Sequence, residues 1–298
     1  MYVPDIELHE ARSVNDAAEL LTRYAPDVKL LAGGTDLLVD LKTGRIATKH
    51  LVSIRNVREM RGVSMEGDVL RIGARTTITE LSRSSIVRNR FAPLLDATRD
   101  MAAQQIRNVA TVGGNLASAV SCADLPPILI VMRASVVLVS PNGQRTVPLE
   151  EFFAGVRRTV ATNTEILTEI LVPIPPERSG AAYARFALRD GNAIAVASVA
   201  AGIRFDEYGL IADARVVLGA VAPNPVMVDA AAETLRGSPP TDDAYERAAV
   251  AATKAARPIS DIRGSAEFRC ELIGVLTKRA LTTARERAGG LESERTGE

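Results

Sequence analysis

Apolar residues run in short blocks along this chain, and the period of the blocks changes along its length. Val28–Leu31 reads as a buried strand, and between Asp36 and Lys42 the leucines recur at helical spacing, with Ala-Gly-Gly-Thr separating the two. Residues 50–54 (HLVSI) and 69–75 (VLRIGAR) alternate as strands, and Thr77 with Glu80 has the spacing of a capping box, which predicts a helix start. A helix is expected over about 91–103. After it comes QQIRNVATVGGNLASAVSCADLPP, residues 104–127, the longest stretch with poor periodicity. At its end Asp124 can cap a further helix, whose first turn suits Pro126 and Pro127.

Residues 135–147 predict a hairpin around Pro-Asn-Gly, and 165–175 a strand ended by prolines. The break at 175–180, PPERSG, is the strongest boundary in the chain. Beyond it strands are expected at 181–189, 193–205 and 210–221, with a turn at 206–209. Alanine-rich helices follow at about 228–236, 242–256 and 264–287, an α+β pattern, and then a polar tail with the composition of a disordered segment.

The 298 residues suffice for two or three compact units. Thirty-six Lys and Arg against 36 Asp and Glu give zero formal charge, so the totals support neither nucleic-acid binding by counterion release nor attraction to an anionic membrane. The start, MYVPDIELHEARSV, does not read as a secretory signal. The longest uncharged apolar run, 193–203, falls below the roughly 18 residues of a membrane helix, and the expectation is a soluble cytoplasmic protein.

Cys122 and Cys270 lie far apart with no CxxC, which excludes a self-contained iron–sulfur cluster; both are expected as small buried hydrophobes. His9 and His50 stand apart in sequence, neither in a carboxylate or serine motif, so no metal site and no triad is expected.

A strand, a pair of glycines and a helix start point amide N–H groups at one spot near the positive end of a helix dipole, which suits a phosphate. AGGTD at 32–36 has a companion in TVGGN at 111–115, another small-residue loop between regular elements. Two such loops from separate lobes can grip a pyrophosphate from both sides, each donating backbone N–H bonds with no Cβ in the way. Neither loop reads G-x-G-x-x-G or ends in Gly-Lys-Ser/Thr, which disfavours both a Rossmann fingerprint and a P-loop.

LLAGGTDLLVDLK, QQIRNVATVGGNLASAVSCADLPP, EILTEILVPIP and DIRGSAEFRCELIGVLTKRAL, in that order over roughly residues 1 to 285, resemble the FAD-binding medium subunit of the molybdenum hydroxylases. That family includes xanthine dehydrogenases, carbon monoxide dehydrogenases and 4-hydroxybenzoyl-CoA reductase. The resemblance implies an α+β chain: a two-lobed FAD-binding domain of the vanillyl-alcohol-oxidase (PCMH) type at 1–176, with lobes of about 1–55 and 56–176. A CO-dehydrogenase-flavoprotein C-terminal domain at 177–287 and a polar tail at 288–298 follow. It also implies a large partner subunit carrying molybdopterin and a small one carrying two [2Fe-2S] clusters, often as a dimer of heterotrimers. The partners then supply the clusters that this chain has no cysteines to hold.

By the same resemblance, Ala32, Gly33, Gly34, Thr35, Asp36 and Leu37 contact the FAD diphosphate side, and Thr111, Gly113, Gly114 and Asn115 supply the second loop. Asp124 matches an acidic residue that hydrogen-bonds FAD hydroxyls, with a plain helix cap as the alternative. Met101, Ile106 and Ser118 line the same stretch, Met101 equally suiting the core of a helix. Ile166 and Leu167 match a strand bordering flavin and adenine, and would be buried in either case. Arg185 stands where many relatives have a lysine near the flavin; the alternative is an exposed strand arginine.

Two departures stand out. Several relatives carry an aromatic residue over the isoalloxazine before the AIA strand, where this chain reads RDGNAIAVAS with Asn192. The four-cysteine insertion of the 4-hydroxybenzoyl-CoA reductase medium subunit is missing. The function implied is an electron-transfer subunit that takes electrons from the [2Fe-2S] clusters of a partner and passes them to an external acceptor, with no acid–base residue of its own. A self-sufficient FAD-dependent oxidoreductase and a non-catalytic nucleotide-binding assembly module are the rival readings.

Overall fold

The computed structural model describes residues 5–189 and 191–289. The chain begins with β1 (Glu7–Glu10), α1 (Val14–Tyr24), β2 (Val28–Leu31), α2 (Leu37–Lys42), β3 (His50–Ser53), β4 (Val63–Glu66), β5 (Val69–Gly73), α3 (Ile78–Arg83) and α4 (Ser85–Arg90). Next come α5 (Pro93–Arg99), α6 (Gln104–Arg107), α7 (Val112–Ala117), α8 (Leu125–Val131), β6 (Ser135–Ser140), β7 (Gly143–Pro148), α9 (Leu149–Phe152), β8 (Phe153–Gly155), β9 (Arg158–Thr159) and β10 (Ile166–Pro173). The last part holds β11 (Ser179–Phe186), β12 (Ala197–Phe205), β13 (Ile211–Gly219), β14 (Val226–Met227), α10 (Asp229–Leu235), α11 (Asp242–Ala255) and α12 (Ala266–Arg287). The polar tail expected at the end falls, from residue 290 on, outside the described residues.

The elements form two compact units interleaved along the sequence: Met1–Asn89, Ala103–Ala119 and Ser135–Val172 in the first, Arg90–Ala102, Val120–Ala134 and Pro173–Glu298 in the second. In the first unit, β3 is the centre of a parallel sheet ordered β1-β3-β2, and Leu51, Val52 and Ser53 are all buried. The alternation expected over 50–54 is therefore absent, because a central parallel strand is covered on both faces. Helix α1, which the sequence reading did not anticipate, starts at Ser13, whose hydroxyl accepts from the Asp16 N–H at 3.0 Å; it buries Ala17, Ala18 and Leu21.

The second sheet of this unit is ordered β4-β5-β10-β6-β7, with β6 and β7 joined as the expected hairpin and a bulge in β10 between Leu167 and Glu169. Helix α3 carries the expected capping box, with Thr77 and Glu80 bonded reciprocally.

Two helix expectations need correction. The helix foreseen over 91–103 spans only Pro93–Arg99, and Ala102 just beyond it is left-handed, with φ +44°, a conformation that no α-helix continues through. Residues 104–127 are more regular than their periodicity suggested, holding α6 and α7.

The second unit is built on an antiparallel sheet ordered β11-β12-β13-β14. On one face Val199, Ala201, Ile203, Val216 and Leu218 meet Ala231, Leu235, Ala248, Ala252, Ile273, Leu276 and Ala280 of helices α10 to α12 in one core. On the other face α8 brings Val131 against Gly202 and Pro127 against Gly219. Every residue of α8 is buried, so it is a core helix rather than an amphipathic one. Its Leu125, Ile128, Leu129 and Ile130 each contribute about 1.5–3 kcal/mol by burial. Among the described residues no helix is long and apolar enough to cross a membrane.

Candidate functional site

Segments at β2, β5, α7 and β10 of the first unit surround a cavity of about 280 Å³. Its wall includes Lys29, Leu30 and Ala32 at the end of β2, Ala74 after β5, and Thr111, Gly113, Gly114 and Ala117 on α7. Thr159, Ala161, Thr162, Asn163, Glu165 and Leu167, leading into β10, complete it with Leu21, Val28, Ile54 and Phe152.

The first glycine loop leaves β2 at Ala32 and enters α2 at Leu37. Leu38 N–H donates to the Gly34 carbonyl and Asp40 N–H to that of Asp36. Among the described residues the N–H groups of Gly33, Gly34, Thr35 and Asp36 donate to no protein acceptor. Gly34 is left-handed, φ +72°, and a Cβ there would lie 2.9 Å from the Leu38 side chain. Gly33 is a glycine for another reason: a Cβ would run into the carbonyl of Val109. The first loop is thus packed backbone to backbone on the segment that leads into the second.

The second loop is arranged differently from the expectation. Its backbone donors are used within the protein: Val112 N–H goes to the Thr76 carbonyl, Gly113 to Ala74, Asn115 to Thr111, and Gly114 to the Thr111 hydroxyl at 3.1 Å. Thr111 is the N-cap of α7, so the N–H cradle foreseen there is already satisfied. Gly113 is packed against the backbone of Ala74, where a Cβ would meet the Ala74 side chain at 2.6 Å and its carbonyl at 2.8 Å. What the loop presents instead is the bare face of Gly114, whose added Cβ would meet only the Thr111 hydroxyl, and the carboxamide of Asn115. The Asn115 Oδ1 is buried with no hydrogen-bond partner, and a group in that position calls for one.

Two ion-paired groups hold the walls. Asp40, buried in α2, is bound by Arg45 and by Arg157, which ties α2 to the turn between β8 and β9. Arg145 on β7 grips Glu165 through both carboxylate oxygens, 2.6 and 3.0 Å, and Glu165 accepts from the Thr162 N–H at 2.8 Å, which fixes the 162–165 loop on the cavity. The Arg145 hydrogen bond holds the Glu165 carboxyl down from 4.5 to about 2. A carboxylate depressed in the folded state stabilises it above the unfolded value, and that contribution is lost as pH falls from about 4.5 through about 2. Arg145→Met is therefore expected to move acid unfolding to higher pH, read by ellipticity across that window; an unchanged acid midpoint would contradict the coupling.

The second unit holds its own polar cluster. The Tyr183 hydroxyl donates to Asp124 Oδ1 at 2.6 Å, and Arg185 reaches both Asp124 oxygens at 3.2 and 3.3 Å, with further bonds to the carbonyls of Asp100 and Ala193. All three side chains are buried or nearly so, Arg185 being only 10% exposed. Burial pushes the Asp124 carboxyl up against the pull of Arg185 and Tyr183, and pushes the Tyr183 phenol well up with help from the carboxylate.

Two expectations are corrected by this cluster. Arg185 is not an exposed strand arginine. Asp124 stands at the N-cap position of α8 but makes no capping bond. A cap accepts from the N2 or N3 N–H, and those positions are Pro126 and Pro127, which have none.

Of the residues singled out from the sequence, Ala32, Thr111, Gly113, Gly114 and Leu167 line the cavity. Gly33, Gly34, Thr35, Asp36, Leu37, Ile106, Asn115, Ser118 and Ile166 belong to the same unit without lining it, while Met101, Asp124 and Arg185 fall in the second unit. Ile166 is fully buried and Ile106 exposed; Met101 is buried but lies past the end of α5. Lys29, inside the run read as a buried strand, and Thr159, Ala161, Thr162 and Asn163 also line the cavity and were not singled out, because no motif marks them in the sequence.

Comparison with known proteins converges on one family. Residues 4–175 match the family described as FAD binding domain in molybdopterin dehydrogenase, and residues 181–284 match the CO dehydrogenase flavoprotein C-terminal domain. The chain is similar to the carbon monoxide dehydrogenase medium chain of Hydrogenophaga pseudoflava, 35% identical over 284 residues, covering 95% of this chain and 98% of that one. It is equally similar to a xanthine dehydrogenase FAD-binding subunit of Escherichia coli, 35% identical over 284 residues, with 95% and 97% covered. Among solved structures, it superposes on carbon monoxide dehydrogenase from Hydrogenophaga pseudoflava with a TM-score of 0.93 at 36% identity, covering 96% of this chain and 99% of the other. Quinoline 2-oxidoreductase from Pseudomonas putida 86 matches with a TM-score of 0.90 at 29% identity, covering 97% and 99%.

Proposed function

Since the chain belongs to the family of FAD-binding medium subunits of molybdenum-containing hydroxylases and dehydrogenases, we propose that it holds FAD on the 32–37 and 111–118 loops and relays electrons within a three-subunit enzyme. In this reading a large subunit carries molybdopterin and oxidises the substrate. A small subunit with two [2Fe-2S] clusters delivers the electrons to this chain, and an external acceptor receives them. The unit is a heterotrimer, proposed to pair as a dimer. The boundary between the FAD-binding and C-terminal domains is placed at 176, supported by matched segments that end at 175 and resume at 181.

The observation that carries the reading is one cavity walled both by Ala32, where the first glycine loop leaves β2, and by Thr111, Gly113 and Gly114 of the second loop. Three details fit FAD. The N–H groups of Gly33 to Asp36 are free to donate to phosphate oxygens. Gly114 leaves bare the face that a side chain would fill. The unpaired Asn115 carboxamide, able to donate and accept, suits a polar ligand edge. At about 280 Å³ the cavity lies just under the roughly 300–1,000 Å³ usual for whole ligands, so it encloses part of a dinucleotide.

When bound, FAD supplies the redox chemistry, joining one-electron carriers to a two-electron acceptor. The chain's residues bind and orient: the first loop by backbone donation, Lys29 by opposing phosphate charge at the wall, Leu30 and Leu167 by excluding water. Asp124 is proposed to meet FAD hydroxyls and Arg185 to stand near the flavin. The charge of Arg185 is already compensated by Asp124, which limits how far it can favour electron-rich flavin. No acid–base residue is required. With large and small subunits purified together, reduction of the natural acceptor is expected to need added chain. Full-rate reduction without it would overturn the reading.

A further inference from the structure

The two histidines, isolated in the sequence, meet in the fold. Parallel pairing sets Glu7 of β1 directly opposite His50 of β3, and His9, two residues along β1, points to the same face as Glu7. The His9 Nε2 and His50 Nδ1 lie 3.2 Å apart. Glu7 Oε2 is 3.5 Å from the His50 nitrogen, and its Oε1 is 3.9 Å from that of His9.

We propose that Glu7, His9 and His50 form a binding site for a borderline divalent transition metal, of which zinc is the representative. Tetrahedral zinc with bonds of about 2.0–2.2 Å sets its ligand atoms about 3.3–3.6 Å apart, and the three donor atoms here all lie within 4.8 Å of one another. Two imidazoles and one carboxylate are the donor set that such ions select over calcium or magnesium.

The site is also held in place before any ion arrives. Tyr24 at the end of α1 stacks on both imidazoles, with ring centroids 4.3 and 4.2 Å away and planes 17° and 27° apart. The backbone at both strands is fixed, with His50 N–H donating to the Asp27 carbonyl and Glu7 N–H to that of Lys49. The three ligands leave a fourth position open. The bound ion would pin the edge strand β1 to the sheet centre, a role separate from the glycine loops.

The test is calorimetric titration of untagged full-length chain with zinc chloride. One site per chain with a dissociation constant of about 10 μM or tighter is expected, together with a rise in unfolding temperature. His9→Ala and His50→Ala should each weaken binding at least about 30-fold, and Glu7→Gln about 10-fold. Glu7 is exposed, so its variant reports on ligation without threatening the fold. Binding should persist in a Cys122→Ser, Cys270→Ser variant. Absence of saturable binding at about 100 μM zinc, or binding indifferent to Glu7→Gln and both histidine variants, would overturn the site.

Discussion

Gly114→Val is expected to give a folded chain that keeps no flavin. An added Cβ at Gly114 meets nothing but the Thr111 hydroxyl, at 2.8 Å, so the only internal loss is a disturbed N-cap worth about 1 kcal/mol. Gly114 lines the cavity, and the rest of the valine side chain is expected to take up space there. FAD affinity should fall at least about 100-fold, equivalent to about 2.7 kcal/mol. Absorbance near the flavin bands and far-UV ellipticity together report it: lost colour with native ellipticity is the expected pair. A fully yellow variant would remove Gly114 from the site. Gly113→Val serves as the contrast, because its Cβ collides with the Ala74 backbone; it should lose the fold along with the flavin.

Asp124→Ala should cost about 3–5 kcal/mol of stability, the usual loss when one partner of a buried ion pair is removed. It strands the Arg185 guanidinium and the buried Tyr183 hydroxyl together. Tyr183→Phe, which deletes one hydrogen bond and no charge, should cost about 1–2 kcal/mol. Replacing both charges, Asp124→Leu with Arg185→Met, should recover most of the loss, since apolar substitutes for a buried pair are often neutral. Urea unfolding of the full chain measures all three. Equal losses in the single and double variants would show that Asp124 acts independently of Arg185.

The contrast between these two sites explains what the sequence could reveal. Local chemistry was legible wherever a motif closes within a few residues: the capping box at Thr77 and Glu80, the hairpin at Pro141 and Asn142, the strand–glycine–helix junction at 31–37. The family blocks were legible as well, and the comparisons bear them out.

What the sequence hid are partners distant along the chain. Tyr183 lies 59 residues from Asp124, Arg157 lies 117 from Asp40, and His50 lies 41 from His9. No periodicity encodes such meetings, which strand pairing and helix packing create. The glycines illustrate the same limit. GG occurs in both loops, yet Gly33 and Gly113 serve close backbone approach, Gly34 a left-handed turn, and Gly114 an open face. Only the surroundings separate these reasons.

Whether this chain is the flavin carrier of its enzyme is read from the visible absorption spectrum of the purified full chain, together with its flavin and iron content. A yellow protein with one non-covalent FAD per chain and no iron is the expected result. A wild-type chain that stays colourless after addition of FAD and its partner subunits would contradict it.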